Sequence, residues 1–421
     1  MKHKPMKHSI IFSLSFALLA IMPAAWSQAP DPSTCVPYTG VPCYTPRQLH
    51  TAYGLTPLLN AGYNGTGQTI VLIESFGSPT IEADLKAFDA AYGLPDPPSF
   101  QVMAPLGTVP FDVNNDDQVA WAFETALDVQ WSHAMAPGAA IVVLTSPVDE
   151  TEGIQGLPEF LELEKYALDN HMGNIVSQSW GTAENTLFDT AGRNLIAEFE
   201  TFYGRAAAEQ VTVLAGAGDF GSANLDVDNN FYPFPTVLFP ASSPFVLAVG
   251  GTSLQVTSTG LFQSETVWND ENGATGGGVS QYFGEPFYQY ELPRTVQGQL
   301  GWHRGIPDVA FNADPVFTYI GFYSEAADNG FYYNGGTSES TPAWAGVISI
   351  ANQLAGRPLG FVNPVLYGIG ALGLQSDFFH DITVGNNGAN GVAGYNATVG
   401  WDLASGWGSP NELIWEMAGR H

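Results

Sequence analysis

Basic side chains are scarce in this sequence of 421 residues: 12 Lys and Arg stand against 41 Asp and Glu, a formal net charge of −29 at pH 7. Nucleic acid and anionic membrane surfaces need positive charge to displace their counterions, so neither is expected as a partner. The imbalance suits an acidic medium, because carboxylates approach neutrality near their ordinary pKa of about 4 and self-repulsion then falls. Solubility alone is the plainer account. Long apolar runs are also missing beyond the first residues. There, Lys2, Lys4 and Lys7 precede an apolar run from Ser9 to Met22, and Ala25 and Ser27 offer small residues at the positions an export peptidase reads. A signal peptide over residues 1–27, cleaved after Ser27, is expected; an uncleaved anchor is the alternative, although the run is short for a membrane span. The mature chain is then soluble and secreted, and a monomer is the working expectation.

Cysteine is nearly absent. Cys35 and Cys43 are the only two, with no His nearby, so a metal cluster or a thiol nucleophile is not expected. Export to an oxidising compartment and the turn-rich Pro37, Gly40 and Pro42 between them favour a local disulfide. Histidine is no better placed to act as a base. His133 lies near the end of an expected helix, His380 in a loop, and no His-Gly-Thr triplet occurs.

Aromatic and aliphatic residues are plentiful, with 45% of the chain hydrophobic, so one large core can form. Strand-like runs at Thr69–Ile73, Ala139–Leu144, Asn174–Ser177, Val211–Ala215 and Phe245–Val249 alternate with helical stretches at Ile81–Tyr92, Glu159–Asn170 and Gly192–Glu209. That alternation implies an α/β fold with a mostly parallel sheet and helices on both faces. From about Gly250 to Asn334 the periodicity is weak, and long surface loops are expected.

Three segments carry chemistry. In Asn334-Gly-Gly-Thr-Ser-Glu-Ser-Thr-Pro342, Gly335 and Gly336 let backbone approach a ligand. Pro342 then marks the first turn of a buried helix. Ser338 would sit at that helix's positive end, with N–H groups suited to an oxyanion; a helix cap without chemistry is the alternative. A second helix, capped by Asp116 and Asp117 and running to about Met135, places Glu124 and Asp128 four residues apart on one face. Among Trp121, Phe123, Leu127 and Trp131, two such carboxyls can share a proton and exchange it with a substrate. A solvated acidic stripe is the other reading. Third, Asp219 in Ala-Gly-Asp-Phe-Gly follows a strand end, where parallel sheets place their sites. A glycine turn of this kind is more often structural, but a neutral Asp can donate to an oxyanion.

Together these segments resemble the sedolisins, serine-carboxyl peptidases of subtilisin-like fold, from about Thr45 to the C-terminus. Ser177-Gln-Ser-Trp-Gly181, Val267-Trp-Asn269, Gly276-Gly-Gly-Val-Ser280 and Pro307-Asp-Val-Ala310 extend the likeness. The resemblance implies Ser338 as nucleophile, Glu124 as its base, Asp128 as support for Glu124, and Asp219 in the oxyanion hole. Glu74 enters as a further supporting partner. Ser179, Trp180 and Gly181 are implied to contact the backbone of a polypeptide substrate. In Phe379-His-Asp381-Ile382 and Thr398-Val-Gly400-Trp-Asp402 the likeness implies one structural Ca²⁺, held by the Asp381 and Asp402 carboxylates and the carbonyls of Ile382, Thr398 and Gly400. Thr398 stands where the family more often has glycine.

Sedolisins are typically made with a long prodomain, whereas only residues 28–44, an arm carrying the cysteines, separate the expected signal from a peptidase domain over 45–421. A catalytic domain without a prodomain is therefore expected, folding unaided, helped in trans, or less active. The rival from another class is a catalytically silent, calcium-stabilised secreted binding protein on the same fold. A glycosidase using paired carboxylates would leave the serine and glycine motifs unexplained.

Overall fold

Apolar runs too short for helices become strands of an eight-stranded sheet in the computed structural model, which describes residues 31, 35–36, 43–316, 319–327 and 329–411. The expected signal peptide lies outside the described residues. Among the described residues, no helix is long and apolar enough to cross a membrane. The strands are β1 (Thr69–Ser75), β2 (Phe100–Met103), β3 (Ala140–Ser146), β4 (Ile175–Gln178), β5 (Thr212–Gly216), β6 (Leu247–Val256), β7 (Phe262–Val267) and β8 (Val309–Asn312). Their order is β2-β3-β1-β4-β5-β6-β7, with β8 also paired to β6. Every pairing is parallel except that of β6 with β7.

Parallel strands need crossovers, and helices supply them on both faces. Helices α1 (Ile81–Tyr92), α2 (Asp116–Met135) and α5 (Thr337–Ala355) cover one face; α3 (Leu157–Asp169) and α4 (Thr190–Ala208) cover the other. The strands divide their side chains accordingly. Ile70, Leu72, Ile141 and Val143 join the core beneath α2 and α5, while Val71, Ile73, Val142 and Leu144 join the core beneath α3 and α4. A period of two is thus preserved inside runs that read as continuously apolar. Helices α2 and α5 meet closely: a Cβ on Gly346 would lie 2.5 Å from Met135 Cβ.

Two expectations change. The segment from Gly250 to Asn334 holds seven strands wholly or in part rather than long loops: most of β6, then β7, Gly278–Gly284, His303–Ile306, β8, β9 (Tyr319–Ser324) and β10 (Gly330–Asn334). Several of these form antiparallel ribbons with register shifts, between Phe262 and Ser264 and again between Val279 and Gly284, which break the alternation a sequence pattern would show. The N-terminal arm is also part of the framework. Cys35 and Cys43 form a disulfide, and Cys43 and Tyr44 pair in parallel with Tyr319 and Ile320, adding a third strand to the β9–β10 hairpin.

Buried carboxyl groups recur throughout. Burial pushes Glu152, Glu200 and Glu265 up to about 7, and Glu150, Glu164 and Glu339 well above the ordinary range. An acid raised in the folded state holds its proton longer folded than unfolded. Its contribution to stability is complete below the unfolded pKa, about 4, and is lost as pH rises through the folded value. Buried His50, pushed down to about 4, acts oppositely and lowers stability as pH falls from about 6.5 toward 4. The carboxyls outnumber it. The melting temperature, followed by circular dichroism, is therefore expected to be higher at about pH 5 than at pH 8; an unchanged or higher value at pH 8 would contradict this.

Candidate active site

The candidate residues gather at the carboxyl ends of β1, β4 and β5, facing the start of α5. Asn115 rather than Asp116 or Asp117 caps α2: its Oδ1 accepts from Asp117 N at 3.0 Å and Gln118 N at 3.2 Å. Asp116 and Asp117 occupy the first turn, where they complement the helix dipole. The helix then carries Glu124 and Asp128 inward against Glu74 of β1, and the three are 4%, 0% and 1% exposed. The expected half-buried face is a fully buried one.

Glu124 and Ser338 face the same cleft, and the Ser338 hydroxyl is the group that favours the ionised form of Glu124. Asp128 lies against Glu74 and Ser179. With every carboxyl ionised, Glu74 and Asp128 have no donor on any of their four oxygens; one proton between them supplies the hydrogen bond. Burial is the main reason all three are raised. Neighbouring negative charge adds to it at all three, from Asp219 at Glu124, whereas the Ser338 hydroxyl works downward on Glu124. The three titrate as one coupled group.

Ser338 is the second residue of α5, whose N-cap is Gly336 with φ +87°. It is half-buried, between neighbours that are buried. Among the described residues its N–H donates to no backbone carbonyl, which leaves it free for a ligand oxygen. Pro342 falls in the second turn rather than the first. Lacking an N–H, it leaves the Ser338 carbonyl without its helical donor. Ser179 Oγ stands 3.5 Å from that carbonyl, at the outer limit of a hydrogen bond.

Asp219 is locked to the same turn. Its Oδ1 accepts from Thr337 N at 2.8 Å and from Thr337 Oγ1 at 2.9 Å, while Gly218 N donates to Thr337 Oγ1 at 3.1 Å. Burial pushes Asp219 up to about 6 against the pull of the two Thr337 bonds. Thr337 was not singled out from the sequence. Its signal was present in Gly-Gly-Thr-Ser, since a threonine at a helix start commonly bonds neighbouring backbone.

Glu124, Asp219 and Ser338 line one cleft, together with Ser179, Trp180 and Gly181. The Trp180 ring itself turns into the core between Phe160 and Phe199. Gly335 and Gly336, expected to meet substrate, are not among the lining residues. A Cβ on Gly335 would lie 2.2 Å from Ala313 O, and one on Gly336 2.5 Å from Asp219 Oδ2, so both glycines permit packing behind the cleft. Glu150 and Glu152 line the cleft and were missed, because nothing in their sequence marks a strand-to-helix loop as a wall.

The expected calcium residues do converge. Asp381 accepts from Gly400 N at 3.0 Å, and Asp402 accepts from the N–H groups of Thr398, Ala404 and Ser405 at 2.7, 2.9 and 2.9 Å. Among the described residues, the Ile382, Thr398 and Gly400 carbonyls accept no backbone hydrogen bond. Gly400 has φ +79°, whereas Thr398 is not in the left-handed region, so a threonine is accommodated there. Among the described residues no three His, Cys, Asp or Glu side chains cluster for a metal, so carbonyls must complete any shell. An all-oxygen set of two carboxylates and uncommitted carbonyls fits Ca²⁺.

The fold and this constellation define a serine-carboxyl site on a subtilisin-like parallel sheet. No family model matches the chain. Kumamolisin of Bacillus sp. (strain MN-32) is 38% identical over 376 residues, which cover 87% of this chain and 62% of that protein. Sedolisin of Pseudomonas sp. (strain 101) is 31% identical over 377 residues, covering 87% of this chain and 59% of that protein. The chain thus spans about three-fifths of these relatives' lengths. The solved structure of Pseudomonas sedolisin, a serine-carboxyl proteinase complexed with two molecules of pseudo-iodotyrostatin, superposes with a TM-score of 0.73 at 28% identity. It covers 90% of this chain and 97% of its own. The chain belongs to the sedolisin family.

Replacing Thr337 by Val keeps its shape but leaves Gly218 N–H buried without a partner and removes one Asp219 contact. Urea unfolding is expected to show a loss of about 1–3 kcal/mol; an unchanged midpoint would deny Thr337 this clamping role.

Proposed function

We propose that this chain is a secreted peptidase that cleaves polypeptides at acidic pH through an acyl-enzyme on Ser338. The observation that carries the reading is the meeting of Ser338 and buried Glu124 in one cleft, beside an Asp219 fixed to the same helix start by Thr337. As Ser338 Oγ attacks the carbonyl carbon, its proton passes to Glu124, and the carbonyl oxygen gains the charge. The Ser338 N–H and neutral Asp219 donate to that oxygen. Glu124 then gives its proton to the departing amine. Water enters, loses a proton to Glu124 and attacks the acyl carbon, and Glu124 returns that proton to Ser338 Oγ as the acid product leaves. Asp128 and Glu74 hold the proton that keeps a charge on Glu124 tolerable in a site without a cation.

The two requirements oppose one another, since Glu124 must be ionised while Asp219 is protonated. Asp219, raised to about 6, is mostly neutral below that pH and loses its donor proton above it, while Glu124, raised further to about 8, is ionised in only a fraction of molecules at acidic pH. Activity should therefore rise and fall with pH, the limbs belonging to the coupled groups together. A binding protein on the same fold would have no need to keep Ser338, Glu124, Asp128 and Asp219 in one connected arrangement. Hydrolysis of a denatured protein across pH 2–8 tests the reading. Ser338→Ala should lower the rate by roughly a thousandfold or more. Asp219→Asn, whose amide cannot lose its donor by ionising, should be slower yet lack the decline at high pH. A maximum on the alkaline side, or hydrolysis that survives loss of Ser338, would overturn it.

We further assign one structural Ca²⁺ to Asp381, Asp402 and the Ile382, Thr398 and Gly400 carbonyls. It would tie the segment around Phe379 to the turn at 398–402 and supply no chemistry to the cleft. At a calcium concentration a hundredfold above the dissociation constant, the stabilisation is about 2.7 kcal/mol. Chelation should lower the melting temperature by several degrees, and Asp402→Asn should abolish the difference; equal melting curves with calcium and with chelator would exclude the site.

A further inference from the structure

One stretch of the lining of the cleft is acidic in a way the proposed reaction does not use. The loop between β3 and α3 brings Asp149, Glu150 and Glu152 together, and Glu150 and Glu152 line the same cleft as Ser338 and Asp219. Two of the three are committed to the protein. Asp149 Oδ1 accepts from Trp121 Nε1 at 2.8 Å; Glu152 Oε2 accepts from Thr182 Oγ1 at 2.7 Å and Ala183 N at 3.1 Å. Glu150 is not. It is 3% exposed, and its buried Oε1 has no hydrogen-bond partner. The charges that act on it, those of Glu152 and Asp149, are both negative.

A buried carboxyl in this state lacks a donor and a countercharge, and both would be met by one cationic side chain. A metal ion is the poorer occupant, because Asp149 and Glu152 are already committed to Trp121, Thr182 and Ala183. The remaining walls suit an organic cation. Leu225 and Leu238 line the cleft and offer apolar surface to an aliphatic stem, while Asn224 adds a polar group beside them.

We propose that Glu150, with Glu152 beside it, is a specificity site that receives an arginine or lysine side chain of the bound polypeptide. The site rests on the reading of this cleft as a polypeptide groove, but its occupancy does not depend on turnover. The Thr182 and Ala183 bonds hold Glu152 in place, so two carboxyls are presented at a fixed spacing to a planar, forked guanidinium, which favours arginine over lysine. Ser179, Trp180 and Gly181 run along the same cleft, so a chain laid beside them carries its side chains past Glu150.

The test is made on binding, using the full chain with Ser338→Ala so that no peptide is consumed. Calorimetry would compare a set of otherwise identical peptides, each with one arginine moved along the sequence, against the same peptides carrying norleucine. At one position arginine is expected to bind about tenfold or more tightly than norleucine, with lysine between them. Glu150→Gln should remove that preference while leaving the norleucine peptide's affinity unchanged, and Glu152→Gln should reduce it. Equal affinities at every position, a preference that survives Glu150→Gln, or no binding of any peptide would each overturn the proposal. Peptide hydrolysis by the chain with Ser338 intact, assayed separately, distinguishes failure of the specificity site from failure of the peptidase reading.

Discussion

Three carboxyl groups share one dry space in this protein, and among the described residues no cation offsets them. Glu74, Asp128 and Glu124 come from a strand and a helix that the fold presses together, and each is almost wholly removed from water. Ionising all three there would cost far more than any fold of this size can supply. Protons take the place of countercharge, and the network is tolerable only because it is mostly neutral. What the cleft can do follows from this. A shared proton makes Glu124 both acceptor and donor toward Ser338. An arginine or histidine in the same place would pin the carboxyls as permanent anions.

The surrounding structure is arranged to keep those groups in contact. Gly346 lets α5 lie directly on α2, so that the helix bearing Ser338 and the helix bearing Glu124 form one packed unit. Gly276 does the same on the other side, where a Cβ would lie 1.9 Å from Ala217 O and its N–H donates to Gly218 O at 2.6 Å. Thr337 joins the two halves by bonding both Asp219 and Gly218. Below the site, Asp308 takes both Arg304 nitrogens at 2.7 and 2.6 Å and donors from Tyr367 and Ala248 at 2.7 and 2.8 Å. In contrast to the carboxyls of the cleft, this buried acid is fully paired, and it secures β8 against β6.

Much of this was legible in the sequence. Four of the five strand-like runs and the helices between them fell within a few residues of their elements, because continuous apolar stretches of that length have few other uses; the fifth, Phe245–Val249, stopped well short of its strand's end at Val256. Ser338, Glu124, Asp128 and Asp219 were each identifiable from local pattern and resemblance; Ser338, Glu124 and Asp219 line one cleft, with Asp128 buried beside Glu124. What failed to show was anything that depends on two distant segments at once. The ribbons between Gly250 and Asn334 carry bulges that erase alternation. Gly335 and Gly336 look like substrate-facing residues until Ala313 and Asp219 are seen behind them. Thr337 becomes a clamp only when the 216–220 turn is brought to it, and Glu150 a cleft wall only when β4 passes beside it.

The pairing of Cys43 and Tyr44 with Tyr319 and Ile320 bears on time as well as space. The first strand to leave the ribosome in the described structure waits for a partner near the far end of the chain. That partner belongs to the hairpin whose last residue, Asn334, leads directly into the turn at Ser338. Closing so long a loop is slow and comes late in folding. The arm thus closes a loop that contains every strand of the eight-stranded sheet, and its hairpin partner hands the chain directly to the nucleophile.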